Sequence, residues 1–137
     1  MSTSRLWKIV ISLCVLCALS FAPHKDLDSK YTLILFEGSD WCMNCIRFEK
    51  NVLSSTYVKY FFSQEDIEVE RIDFPQKKKL KQEIKDYNAK VAEEYDFKGI
   101  FPTILLINNS TDKVITLEYH DQSPADFVSQ IKSNLSK

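Results

Sequence analysis

The sequence predicts an α/β domain whose elements run strand, helix, strand, helix, strand, strand, helix. Three observations carry that expectation. Residues 31–36 and 103–107 are short, unbroken apolar runs, the pattern of strands covered on both faces. Residues 67–74 instead alternate apolar and polar side chains, the period-two pattern of a half-buried strand. Stretches with apolar residues three and four apart lie between and after these strands, as amphipathic helices require. A parallel unit followed by a hairpin gives an α/β sandwich.

Gly38, Ser39 and Asp40 break the first strand. From Met43 the residues Ile46, Phe48, Val52 and Leu53 keep a loose helical spacing until Ser54, Ser55 and Thr56 interrupt it. Tyr57, Val58, Tyr60, Phe61 and Phe62 resume it, and most of these aromatics are expected in the core. Pro75 closes the second strand. Residues 76–95 contain no Gly or Pro and space Leu80, Ile84, Tyr87, Val91 and Tyr95 as one helical stripe. Lys77, Lys78, Lys79 and Lys81 then read as that helix's solvated face rather than as a dock for an acidic partner. Residues 97–102 link into the third strand, 108–112 form a turn, and 113–119 return as the fourth strand. Ser123 and Pro124 are the N-cap and first position of a last helix with Phe127, Ile131 and Leu135 on one stripe.

With 137 residues, 45% of them hydrophobic, and a formal net charge of −1, the chain is sized and charged for one globular domain, and nothing in it asks for nucleic acid. Arg5 and Lys8 precede an apolar run at 9–19, which reads as a secretory signal over residues 1–22, cleaved after Ser20, or alternatively as an uncleaved N-terminal anchor. Only the anchor would put the protein at a membrane. Residues 23–30 are a polar tether and 31–137 the domain, which faces a secreted or periplasmic environment. Cys14 and Cys17 lie inside the signal, and removing residues 1–22 takes two basic groups and no acid, so the net charge becomes −3.

Cys42 and Cys45 remain, three positions apart and directly after the first strand. A structural zinc site would need further Cys or His ligands, and the mature chain offers only His24 and His120. A permanent disulfide across so few residues gains little chain entropy. A redox pair, by contrast, suits a strand-to-helix turn, where free backbone N–H groups and the positive end of the helix dipole stabilise the first sulfur as thiolate. The second thiol, one turn along, can then attack a mixed disulfide on the first. Neither metal nor cofactor is expected.

Trp41-Cys42-Met43-Asn44-Cys45 after a buried strand, with Phe101-Pro102-Thr103 opening a later one, resembles the thioredoxin superfamily over about residues 30–135. The Ser-Asp-Trp-Cys lead-in and Ile72-Asp-Phe-Pro75 look most like its secreted bacterial, thiol:disulfide interchange branch. The resemblance implies a thioredoxin-like fold, a mixed four-stranded sheet flanked by helices, and thiol-disulfide oxidoreductase activity, with a non-catalytic binding or structural module as the alternative. Cys42 would be the nucleophile and Cys45 the resolving thiol. Trp41, Phe101, Pro102 and Thr103 would contact substrate, with the Phe101–Pro102 bond cis. Partners would be protein thiols and disulfides and a redox-recycling protein.

The chain departs from the family pattern at several points. Phe36 stands six positions before Cys42, where thioredoxin has a buried acid that helps proton transfer to the resolving thiol. Glu37, alternating to the other strand face, is not expected to replace it. Ile100 is an extra residue before the Phe-Pro-Thr motif, and the first strand of full thioredoxin is absent. Met43 and Asn44 bring no charge between the cysteines, and Asp40 is expected to raise the Cys42 pKa. The uncharged Met43 and Asn44, together with Asp40, favour a moderately reducing couple.

Overall fold

A computed structural model describes residues 29–135. The signal at 1–22, with Cys14 and Cys17, and most of the tether at 23–30 lie outside the described residues. Strand β1 spans Tyr31–Glu37 and leads to helix α1, Met43–Phe48, which runs on into a π-helical turn, Glu49–Leu53. Then follow α2 (Thr56–Glu65), β2 (Ile67–Asp73), α3 (Gln82–Glu94), β3 (Thr103–Asn108), β4 (Lys113–Leu117) and α4 (Pro124–Leu135). The strands lie in the order β2-β1-β3-β4, with β1 parallel to β2 and antiparallel to β3, and β3 antiparallel to β4. The result is the mixed four-stranded sheet flanked by helices that the resemblance implied. Among the described residues no helix is long and apolar enough to cross a membrane.

The unbroken apolar runs are the two central strands. Leu33, Leu35, Ile104 and Leu106 pack against Phe48, Val52, Val58, Phe127 and Ile131 of the helices on one face. Ile34, Phe36, Leu105 and Ile107 pack against Val91 on the other. Ser54 N–H reaches back five residues to Glu49 O at 2.9 Å, which makes the turn after α1 π-helical. The Ser55 hydroxyl accepts from Val58 N–H at 3.1 Å and so starts α2 where the serine break was expected. Ser123 accepts from Asp126 N–H at 3.2 Å and donates to the Asp126 carboxylate at 2.7 Å, with Pro124 at the first position of α4.

Four expectations are corrected. Helix α3 begins at Gln82 rather than 76, because the N–H groups of Gln76, Lys77 and Lys78 converge at 2.8–2.9 Å on the carboxylate of Asp40 and wrap the chain into a loop. On α3 the buried residues are Asn88 and Val91, while Ile84 and Tyr87 of the anticipated stripe are exposed, since Asn88 turns inward to donate to Asp73 O at 2.7 Å. Tyr57 and Tyr60 face solvent, leaving only Phe61 and Phe62 of that aromatic group in the core. Strand β4 also stops at Leu117, two residues early, where Gln122 closes the next loop by donating to Glu118 O and accepting from His120 N–H.

Phe48 is fully buried against the rings of Tyr119 and Phe127, at centroid distances of 4.9 and 5.1 Å. Phe48→Ala should therefore cost about 3–5 kcal/mol of stability, measured by urea unfolding; a loss below about 1 kcal/mol would mean the site collapses around the void.

Candidate active site

The turn between β1 and α1 is built on Gly38. Its carbonyl accepts from Trp41 N–H at 3.1 Å and Cys42 N–H at 2.8 Å, and a Cβ at this position would lie 2.4 Å from the Trp41 ring. Only glycine lets the indole fold back so closely. Cys42 is then the N-cap of α1, with extended backbone, and its sulfur accepts from Cys45 N–H at 3.2 Å. The two sulfurs are joined in a disulfide, Cys45 enclosed at 1% exposure and Cys42 at the surface side with 7%.

Trp41, Cys42, Met43, Asn44, Gly99 and Phe101 line one open mouth. Trp41 donates from Nε1 to Phe74 O at 2.8 Å and meets the Phe101 ring edge-on at 5.2 Å. Phe101 in turn packs on Phe97 and Phe74, so an aromatic cluster backs the mouth. The Phe101–Pro102 bond is cis. Thr103 opens β3, and its hydroxyl is occupied, donating to Ile100 O at 2.7 Å. Gly99 adopts φ of +74°, which glycine alone takes without strain, and the extra Ile100 projects into solvent at 68% exposure. Trp41, Cys42 and Phe101 thus come together at one mouth; Pro102 and Thr103 stand at the adjoining start of β3.

Cys45 faces a second cavity, of about 340 Å³, whose lining includes Glu37, Glu49 and Arg71. This overturns the expectation for Glu37. Alternation does carry it away from the Phe36 face, but the face it reaches is the one α1 covers, so it is the buried acid on the Cys45 side. Arg71 donates from Nη1 to both Glu37 oxygens at 3.0 and 3.3 Å and from Nη2 to Glu49. Burial pushes the Glu37 pKa up, against the pull of Arg71. Glu49 also feels desolvation, but its bonds to Arg71 and Ser54 outweigh it and lower its pKa. Sequence reading missed Glu49 and Arg71, although Glu49 lies four residues after Cys45, on the same helical face.

Asp40 does not turn its charge on the Cys42 sulfur. Its desolvation is outweighed by the three backbone N–H donors of Gln76, Lys78 and Lys77, which hold its pKa below the usual aspartate value. Between the cysteines, Met43 is exposed and Asn44 accepts from Arg47 at 2.5 Å, with Arg47 itself paired to Asp121 at 3.2 Å.

A sulfur at an open mouth, bonded to an enclosed sulfur one helical turn away, is arranged for exchange with an outside disulfide or dithiol. With this sheet around it, the pair defines a thiol-disulfide protein of the thioredoxin class. No family model matches the chain. It is 30% identical over 112 residues to the disulfide bond reductase DsbH of Chlamydia pneumoniae, an alignment that covers 82% of this chain and 66% of the relative's length. The solved structure of a DsbH oxidoreductase matches with a TM-score of 0.71 at 31% identity, over 82% of this chain and 77% of that one. The chain belongs to the thioredoxin superfamily of thiol-disulfide oxidoreductases. The reduced C-terminal domain of Neisseria meningitidis DsbD, at 15% identity, TM-score 0.54 and 96% coverage of both chains, shares the fold.

Because the folded-state pKa of Glu37 is raised, its neutral form is the one the fold favours, and stability is lost as pH rises through that pKa. Glu37→Gln, which stays neutral, should gain stability relative to the parent between about pH 4 and pH 7, read from urea midpoints. A difference that stays flat across that window would mean Arg71 fully offsets the burial.

Proposed function

We propose that this protein is a thiol-disulfide oxidoreductase that reduces disulfides in extracytoplasmic proteins. The observation that carries the reading is the asymmetry of the pair: Cys42 at the helix start and at the mouth, Cys45 enclosed beside a buried acid. The basic and apolar residues at 1–22 support export, by a signal or an anchor, and the likeness to a disulfide bond reductase supports the reducing direction.

In the reduced protein the Cys42 thiolate attacks one sulfur of a substrate disulfide. A Cys42–substrate disulfide forms and the other substrate sulfur leaves as thiolate. Cys45, after passing its proton toward Glu37 or water, attacks Cys42 Sγ, expels the second substrate thiol and closes the Cys42–Cys45 disulfide. Substrate gains two electrons and the pair loses two. A dithiol protein must then return them. Trp41, Phe101, Pro102 and Thr103 are assigned to hold the substrate segment across the mouth.

Two measurements test this. Iodoacetamide labelling of the reduced protein across pH should find one thiol titrating below about 8.5, mapped to Cys42, and Cys45→Ala should trap mixed disulfides that Cys42→Ala does not. Equal labelling and equal trapping would leave a non-catalytic module with a structural disulfide. Independently, the uncharged Met43 and Asn44 support a potential nearer about −270 mV than about −120 mV. Equilibration with glutathione reads it directly, and a value well above about −180 mV would assign the protein to oxidation or isomerisation instead.

A further inference from the structure

Lysine occupies four of the six positions 76–81, and with α3 starting at Gln82 these side chains sit on a loop, not on the solvated face of a helix. Asp40 fixes the loop's backbone from within the redox turn itself. Beside the loop opens a groove of about 250 Å³ with Phe74, Pro75 and Leu80 as its apolar floor and Lys78 and Lys85 among its rim. Lys78 is engaged, donating to Ser39 Oγ at 2.9 Å and standing 3.8 Å from the Asp73 carboxylate. Lys77, Lys79, Lys81 and Lys85 are exposed and have no ion-pair partner among the described residues.

The groove and the mouth meet at Phe74, which lines the first and contacts residues of the second. The Phe74 carbonyl accepts from Trp41, and the Phe74 ring meets Phe101 at 5.9 Å. We propose that this groove docks an acidic segment of the polypeptide whose disulfide Cys42 attacks, an apolar side chain entering between Phe74 and Leu80 while flanking carboxylates meet the unpaired lysines. The inference rests on the exchange reading above and adds the class of partner. Charge complementarity argues for it: a fixed loop holding several unpaired ammonium groups attracts anions and raises their encounter rate. A groove that takes one or two side chains fits a peptide better than the flat face of a bilayer.

The test separates docking from chemistry. A labelled, cysteine-free peptide with a leucine among glutamates should bind about tenfold tighter than its glutamine counterpart at low salt, by fluorescence anisotropy, and lose that advantage at about 0.5 M salt. The triple variant Lys77→Glu, Lys79→Glu, Lys81→Glu should abolish the preference, whereas Lys113→Glu on β4 should keep it. In the exchange assay the triple variant should lose about tenfold in kcat/KM on an acidic peptide disulfide while reducing neutral hydroxyethyl disulfide at the parental rate. Equal affinity for the two peptides overturns the proposal, as does binding to phosphatidylserine vesicles through the same lysines without any peptide preference. Failure of the parent to reduce hydroxyethyl disulfide would count against the exchange reading alone, and peptide binding would still decide the groove.

Discussion

Ser39, Asp40 and Trp41 each reach across to the residues that end β2 and follow it. Ser39 binds the Asp73 carboxylate through both its N–H and its hydroxyl, Asp40 collects three backbone donors from 76–78, and Trp41 caps Phe74 O. The parallel register that pairs Glu37 with Asp73 makes these bonds possible, because it ends both strands at the same height. The orientation of Cys42 at the start of α1, the course of the lysine loop and the aromatic backing of the mouth all follow from this seam. Bonds to charged acceptors are the stronger kind, and several of them converge here, so the seam holds the turn in place.

Much of this was legible in the chain. Unbroken apolar runs marked the two central strands, serines marked the starts of α2 and α4, and the Trp-Cys-x-x-Cys and Phe-Pro-Thr motifs marked the two sides of the mouth. The start of α3 was not legible, since the helical spacing of Leu80 and Ile84 continues smoothly through the true boundary. What stops the helix is a carboxylate 36 to 38 residues away in sequence, and no local window contains it. Glu37 failed for a different reason. Alternation gave its face correctly, but only the packing of α1 on that face tells that Cys45 is there too.

The polar side of the site is an economy of one cation for two acids. Arg71, itself partly exposed, bridges a carboxylate that is sealed in and one that is half open to water. Desolvation is steeper for the enclosed member, so Glu37 and Glu49 are driven in opposite directions by one environment. Splitting two like groups in this way leaves one of them holding its proton more readily, in the cavity that Cys45 also lines.

Phe36 and Glu37 are consecutive, and the strand's pleat sends them to opposite sides of the sheet. The aromatic side carries the rings around the mouth; the acidic side carries the Cys45 cavity. A polypeptide seated at the mouth, as the proposed function requires, would therefore cover Cys42 and leave the Cys45 cavity free. On the proposed function, a proton leaving Cys45 would then have a route through that cavity that the client does not occupy.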